Sequence, residues 1–207
     1  LTQIIAEYSN SSTNKLMVDE IGYDVFDDFL IHLFQVDFEP EETRIRTEEM
    51  IYLQPLPGRI ILDMIQTIPF TEEDHFYDFG SGLGHVPILV SLLTTARAVG
   101  IEYEPTYVSY SKLCAKKLED YKVEFRNQDV RDSDFSDGTI FFMHTPFIGS
   151  ILRQVLDSLR ILSEKRCVTL CTYGSCTPLI NQEKWLHPIK DGNGESHRLA
   201  IFTSYPT

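Results

Sequence analysis

Hydrophobic positions along this chain alternate between two periods, and the switches mark its elements. Ile21, Val25, Phe29 and Leu33 recur at helical spacing with Phe26 and Leu30 beside them, while Asp24, Asp27 and Asp28 fall on the other side. That pattern predicts an amphipathic helix ahead of Pro40. Arg59 to Ile68 predicts a second, with Ile61, Met64, Ile65 and Ile68 on its apolar side. Beyond it, Phe76–Phe79, Ala98–Glu102, Tyr121–Phe125, Gly138–Met143 and Cys167–Cys171 read as strands, with helical runs interleaved at Val86–Leu93, Pro105–Leu118 and Ile151–Leu159. Such alternation predicts an α/β fold, a mostly parallel sheet with helices on both faces. Trp185–Ile189 and Arg198–Tyr205, around the turn-rich Asp191-Gly192-Asn193-Gly194, read as an antiparallel C-terminal hairpin. The expected organisation is a helical extension over residues 1–50 and one Rossmann-like domain over 51–207.

The break between the first strand and its helix carries the chemistry. Asp78-Phe79-Gly80-Ser81-Gly82-Leu83-Gly84-His85 sets three glycines at alternate positions behind an acid. Glycine lets the backbone take positive φ and come close to a ligand. The helix that follows offers free N–H groups and the positive end of its dipole. A dinucleotide fingerprint reads G-x-G-x-x-G, and here His85 stands where its last glycine would be. Asp78, at the strand's carboxyl end, is awkward beside a pyrophosphate and useful beside an ammonium. Glu102 ends the second strand 22 positions after Gly80, where an acid can accept both hydroxyls of a ribose.

Composition narrows the partners. The 207 residues carry 31 Asp and Glu against 18 Lys and Arg, a net charge of −13. No Lys/Arg cluster supplies the basic face that a phosphate-tracking groove needs, so nucleic acid is not the expected partner. Glu39-Pro40-Glu41-Glu42 and Glu48-Glu49 read as a solvated acidic face. No apolar run approaches the roughly 18 residues of a membrane span, and no signal-peptide pattern is seen. Cys114, Cys167, Cys171 and Cys176 include no C-x-x-C pair, which predicts reduced thiols in an intracellular, cytoplasmic setting. Neither these nor the six histidines are spaced as metal ligands, and no metal is expected. The chain opens on Leu1 rather than Met, as a fragment or a processed chain would.

Asp78-x-Gly80-x-Gly82-x-Gly84, the acid Glu102 and a closing strand pair without a last crossover helix resemble the class I S-adenosylmethionine (SAM) methyltransferases over residues 51–207. The resemblance implies SAM as cofactor and S-adenosylhomocysteine as product. It implies that Asp78, Gly80, Ser81, Gly82 and Gly84 cradle the methionine end and that Glu102 holds the ribose. Tyr103 would lie against the adenine, with Asp129 on its amino group and Val130 alongside. Phe76 to Gly84, Gly100-Ile101-Glu102, the Tyr52 loop and Ile140-Phe141-Phe142 are further similar to the disruptor-of-telomeric-silencing family of non-SET histone lysine methyltransferases. Where that family carries an Asn-Asn-Phe-Ala-Phe type segment, this chain reads Met143-His144-Thr145-Pro146-Phe147, keeping only the final Phe. The implied reaction is methyl transfer, first to a protein lysine side chain and alternatively to a small molecule. A methyltransferase-like domain without activity and an NAD(P)-dependent oxidoreductase are the rival readings. His144, at the methyl end, is the candidate general base, and Tyr52 the candidate lining of the methyl pocket.

Overall fold

Short aromatic and β-branched runs pair side by side because their side chains pack well on a pleated surface. The computed structural model describes residues 22–34, 40–117, 122–190 and 195–205. Its strands are β1 (His75–Phe79), β2 (Arg97–Glu102), β3 (Val123–Asn127), β4 (Ile140–Met143), β5 (Thr169–Thr172), β6 (His187–Lys190) and β7 (Ala200–Thr203). They form one sheet in the order β3-β2-β1-β4-β5-β7-β6. The first five are parallel, and β7 enters antiparallel between β5 and β6. This is the mostly parallel sheet with a closing hairpin that the sequence predicts. The strand order reverses direction between β1 and β4, the kind of crevice where open α/β sheets bind ligands.

The helices are α1 (Val25–Phe34), α2 (Gly58–Thr67), α3 (His85–Leu93), α4 (Pro105–Lys116), α5 (Gly149–Ser163) and the short α6 (Thr177–Ile180). Strand side chains alternate between two cores. Phe76, Ala98, Phe125, Ile140 and Phe142 pack under α1 to α4, while Tyr77, Phe79, Val99, Phe141 and Met143 pack against α5 and α6. Between β3 and β4 there is only a 3-10 turn, Val130–Asp132.

Two expectations need correction. The buried face of α1 is Phe26, Leu30 and Phe34, with Val25 56% exposed, so it is rotated by one position from the predicted one; Ile21 lies outside the described residues. Gly58 sets that rotation, because a Cβ there would stand 2.6 Å from Phe26 and 2.7 Å from Leu30. Asp24 is buried, and Asp27 is also not on a solvent side. It is buried and accepts from the N–H groups of Gly58 (2.7 Å) and Asp24 (2.9 Å), which satisfies a free donor at the start of α2. Strand bounds differ by a few residues, and Leu118, Tyr121 and residues 191–194 lie outside the described residues.

Candidate active site

Two adjoining cavities open at the carboxyl ends of β1 to β4. The first, about 100 Å³, is lined by Arg46, Tyr52, Glu102, Tyr103, Asp129, Val130 and Phe147. The second, about 240 Å³, is lined by Leu30, Asp78, Ser81, His85 and Phe142. Leu53, Gln54, Gly80, Gly82 and His144 border both. The candidate residues thus converge on one cleft, with one exception. Gly84 borders neither cavity; a Cβ on it would stand 2.7 Å from Phe125 and 2.8 Å from Ser111, so its role is to let α3 close onto β3 and α4. Gly80 does turn at the cleft, with φ +74 and Pro146 pressed against it.

The cleft holds two carboxyl groups, Asp78 and Glu102, that form no ion pair among the described residues. Asp78 is 3% exposed; burial, with the charge of Glu102 adding to it, pushes its pKa well above the ordinary value. Burial also raises Glu102, against backbone hydrogen bonds that lower it. Its two oxygens accept from Gly82 N (2.9 Å) and Glu104 N (2.8 Å). Glu102 is therefore a brace between the glycine turn and β2 as well as a ribose candidate, since an ionised carboxylate keeps further lone pairs. Ser81 Oγ and His85 Nε2 are buried without a hydrogen-bond partner. Asp129 lines the first cavity and is also tied locally. Its carboxylate caps the 3-10 turn through Arg131 N (3.0 Å) and is gripped by the Arg131 side chain at 2.9 and 2.6 Å, which lowers its pKa.

At the other end of the cleft, His144 follows β4. Burial lowers its pKa to about 4, although its ring bonds to the Gln54 backbone, and it meets Tyr173 edge-on at 5.2 Å. A neutral imidazole with that pKa is a weak general base, which counts against the base role expected for it. It remains suited to hydrogen bonding. Tyr52 is 76% exposed beneath Arg46, whose guanidinium carbon lies 3.4 Å from the ring centroid. Tyr52 thus marks the rim of the cleft and not a closed pocket. Thr145, next to His144, holds φ +43 and is the non-glycine residue with positive φ among those described; its Oγ1 accepts from Cys176 N at 3.1 Å.

A strap over residues 42–51 roofs the first cavity; Glu42 and Glu49 act in it as ties, Glu41 and Glu48 are exposed as a solvated face would be, and Glu39 lies outside the described residues. Glu42 pairs with Arg46 and accepts from Tyr107. Glu49 accepts from Ser150 N (2.8 Å) and Ile151 N (3.1 Å) at the start of α5. Ile51 N donates to Pro146 O (3.0 Å), and Glu104 holds Thr43 N and Arg44 N at 2.9 and 2.8 Å. Sequence reading missed Arg46, Leu53 and Glu104. Only Glu104 carried a local signal, as an acid directly before Pro105 and Thr106 at a helix start.

No helix among the described residues is long and apolar enough to cross a membrane, and no group of three or more His, Cys, Asp or Glu residues among them could hold a metal. A search of curated proteins gives no match. Among solved structures the chain is similar to an RNA methyltransferase from Salinibacter ruber in complex with S-adenosylhomocysteine, with TM-score 0.53, 23% identity, and 74% of this chain and 94% of that one covered. It is similar to precorrin-6y C5,15-methyltransferase from Geobacter metallireducens (0.54, 17% identity, 79% and 94% covered). It is also similar to the M. jannaschii tRNA m1G37 methyltransferase (0.54, 20% identity, 75% and 51% covered). At these identities the likeness establishes the fold, a methyltransferase-type Rossmann-like sheet. A family model, histone methylation protein DOT1, matches residues 50–155, half of the chain. That stretch holds the glycine turn, Asp78, Glu102 and the whole of β4, and the chain belongs to the DOT1 family of histone methylation proteins, which are SAM-dependent methyltransferases.

Proposed function

We propose that this chain transfers a methyl group from SAM to an amine, in first place the side chain of a protein lysine. The observation that carries the reading is the pair Asp78 and Glu102, buried or nearly so at the two ends of one glycine turn, with no ion pair among the described residues. Burying a carboxylate without a cation is costly, and a cationic nucleoside–amino acid fits that deficit. The cleft suits SAM in other respects too. Asp78 borders the second cavity and would take the ammonium, while Ser81 and His85 there offer unpartnered polar atoms. Glu102 would hold the ribose, with Tyr103, Asp129 and Val130 around the adenine. When bound, SAM supplies a methyl group already activated by its sulfonium.

The protein's own work is alignment and exclusion of water. Phe147 is buried and lines the first cavity beside His144, so together they form an apolar wall with one polar handle. An apolar wall favours the neutral form of an incoming lysine. One ring nitrogen of His144 is engaged by Gln54, and the other can accept a hydrogen bond from the amine and orient its lone pair.

Incubation with tritiated SAM and a cell extract, followed by fractionation into protein, nucleic acid and small molecules, tests the proposal. Label in protein, released as methyl-lysine on hydrolysis, is expected. Label confined to small molecules or nucleic acid overturns the lysine acceptor. Label in no fraction, from protein that binds SAM in calorimetry, would mark an inactive domain, in keeping with the missing motif asparagines at Met143–Phe147.

A further inference from the structure

The two cavities adjoin at Leu53, Gln54, Gly80, Gly82 and His144, and among these Leu53 presses on the glycine turn. Leu53 borders both and lies so close to the glycine turn that a Cβ on Gly82 would stand 2.5 Å from its Cδ1. Leu53 is partly buried against the core under α1 to α4. The backbone around it is pinned: Ile51 N donates to Pro146 O at 3.0 Å, Gln54 is bonded to the His144 ring, and Tyr23 OH donates to Pro55 O at 3.2 Å.

Given the cofactor reading above, on which this inference rests, we infer that Leu53 is a gate and a specificity-determining residue of the cleft. In this reading a nucleoside lies on the Glu102 side, in the first cavity. A nucleoside that carries an amino-acid tail must pass over Gly82 to reach Asp78, and Leu53 must swing aside and then close on the ligand. Removing its branched end leaves the passage over Gly82 open, whereas a larger, stiffer ring at this position narrows it.

The test measures association rates of S-adenosylhomocysteine and of adenosine by surface plasmon resonance, for wild type, Leu53→Ala and Leu53→Phe. Leu53→Ala is expected to speed association of S-adenosylhomocysteine at least five-fold and Leu53→Phe to slow it by a similar factor. Adenosine should change less than two-fold in both. Rates for S-adenosylhomocysteine within two-fold of wild type in both variants overturn the gate. So does a parallel change for adenosine, which would mean a general loosening of the site. If neither ligand binds folded wild-type protein, the cofactor reading fails and the gate fails with it.

Discussion

Glu104 is the residue whose loss should cost the fold most for a single changed atom. It is 5% exposed, yet its carboxylate accepts from Thr43 N and Oγ1, Arg44 N, and Thr106 N and Oγ1 at 2.8 to 3.0 Å. Burial alone would raise its pKa; the donors of Arg44, Thr106 and Thr43 outweigh burial and hold it at about 2 against an ordinary 4.5. At about 1.4 kcal/mol for each pH unit, that depression sets a ceiling of about 3 kcal/mol of stability, which solvent screening reduces to about 2 kcal/mol. A depressed pKa contributes fully above the unfolded value and is lost as pH falls toward the folded one. Glu104→Gln keeps the shape but turns an NH2 toward N–H donors. It should lower the unfolding free energy by about 2 kcal/mol at pH 7, shrinking to about 0.8 kcal/mol at pH 3. Urea denaturation at the two pH values measures this. A loss under about 1 kcal/mol at pH 7, or one that does not shrink in acid, would refute the view that this carboxylate anchors the strap as an ion.

Asp78 should show the opposite sign. Its pKa is raised by burial, so its ionisation costs stability as pH rises, and Asp78→Asn should raise the melting temperature of the ligand-free protein at pH 7 while weakening SAM at least ten-fold; a lower melting temperature with unchanged affinity would contradict it. His144, with its pKa lowered to about 4, should stay neutral, so its ring-proton NMR shift should be flat from pH 5.5 to 8. A titration midpoint near 6.5 would restore it as a general base.

The sequence alone determined the alternation of elements, the parallel sheet, its closing hairpin and the glycine turn. These follow from short-range rules: side-chain period sets strand or helix, and closely spaced glycines accept the positive φ of a tight turn. It also placed Asp78, Gly80, Gly82, Glu102 and His144, because in a parallel sheet every strand end faces the same edge. What it left undecided depends on partners far along the chain. Whether Asp27 faces water or caps α2 is settled by Gly58, 31 residues away. Whether residues 42–51 are a solvated acidic run or a roof is settled by Glu104, 61 residues from Thr43, and by Ser150, 101 residues from Glu49. Burial, which lowers the pKa of His144 and makes Asp78 costly to ionise, is a property of packing, and no local pattern encodes it.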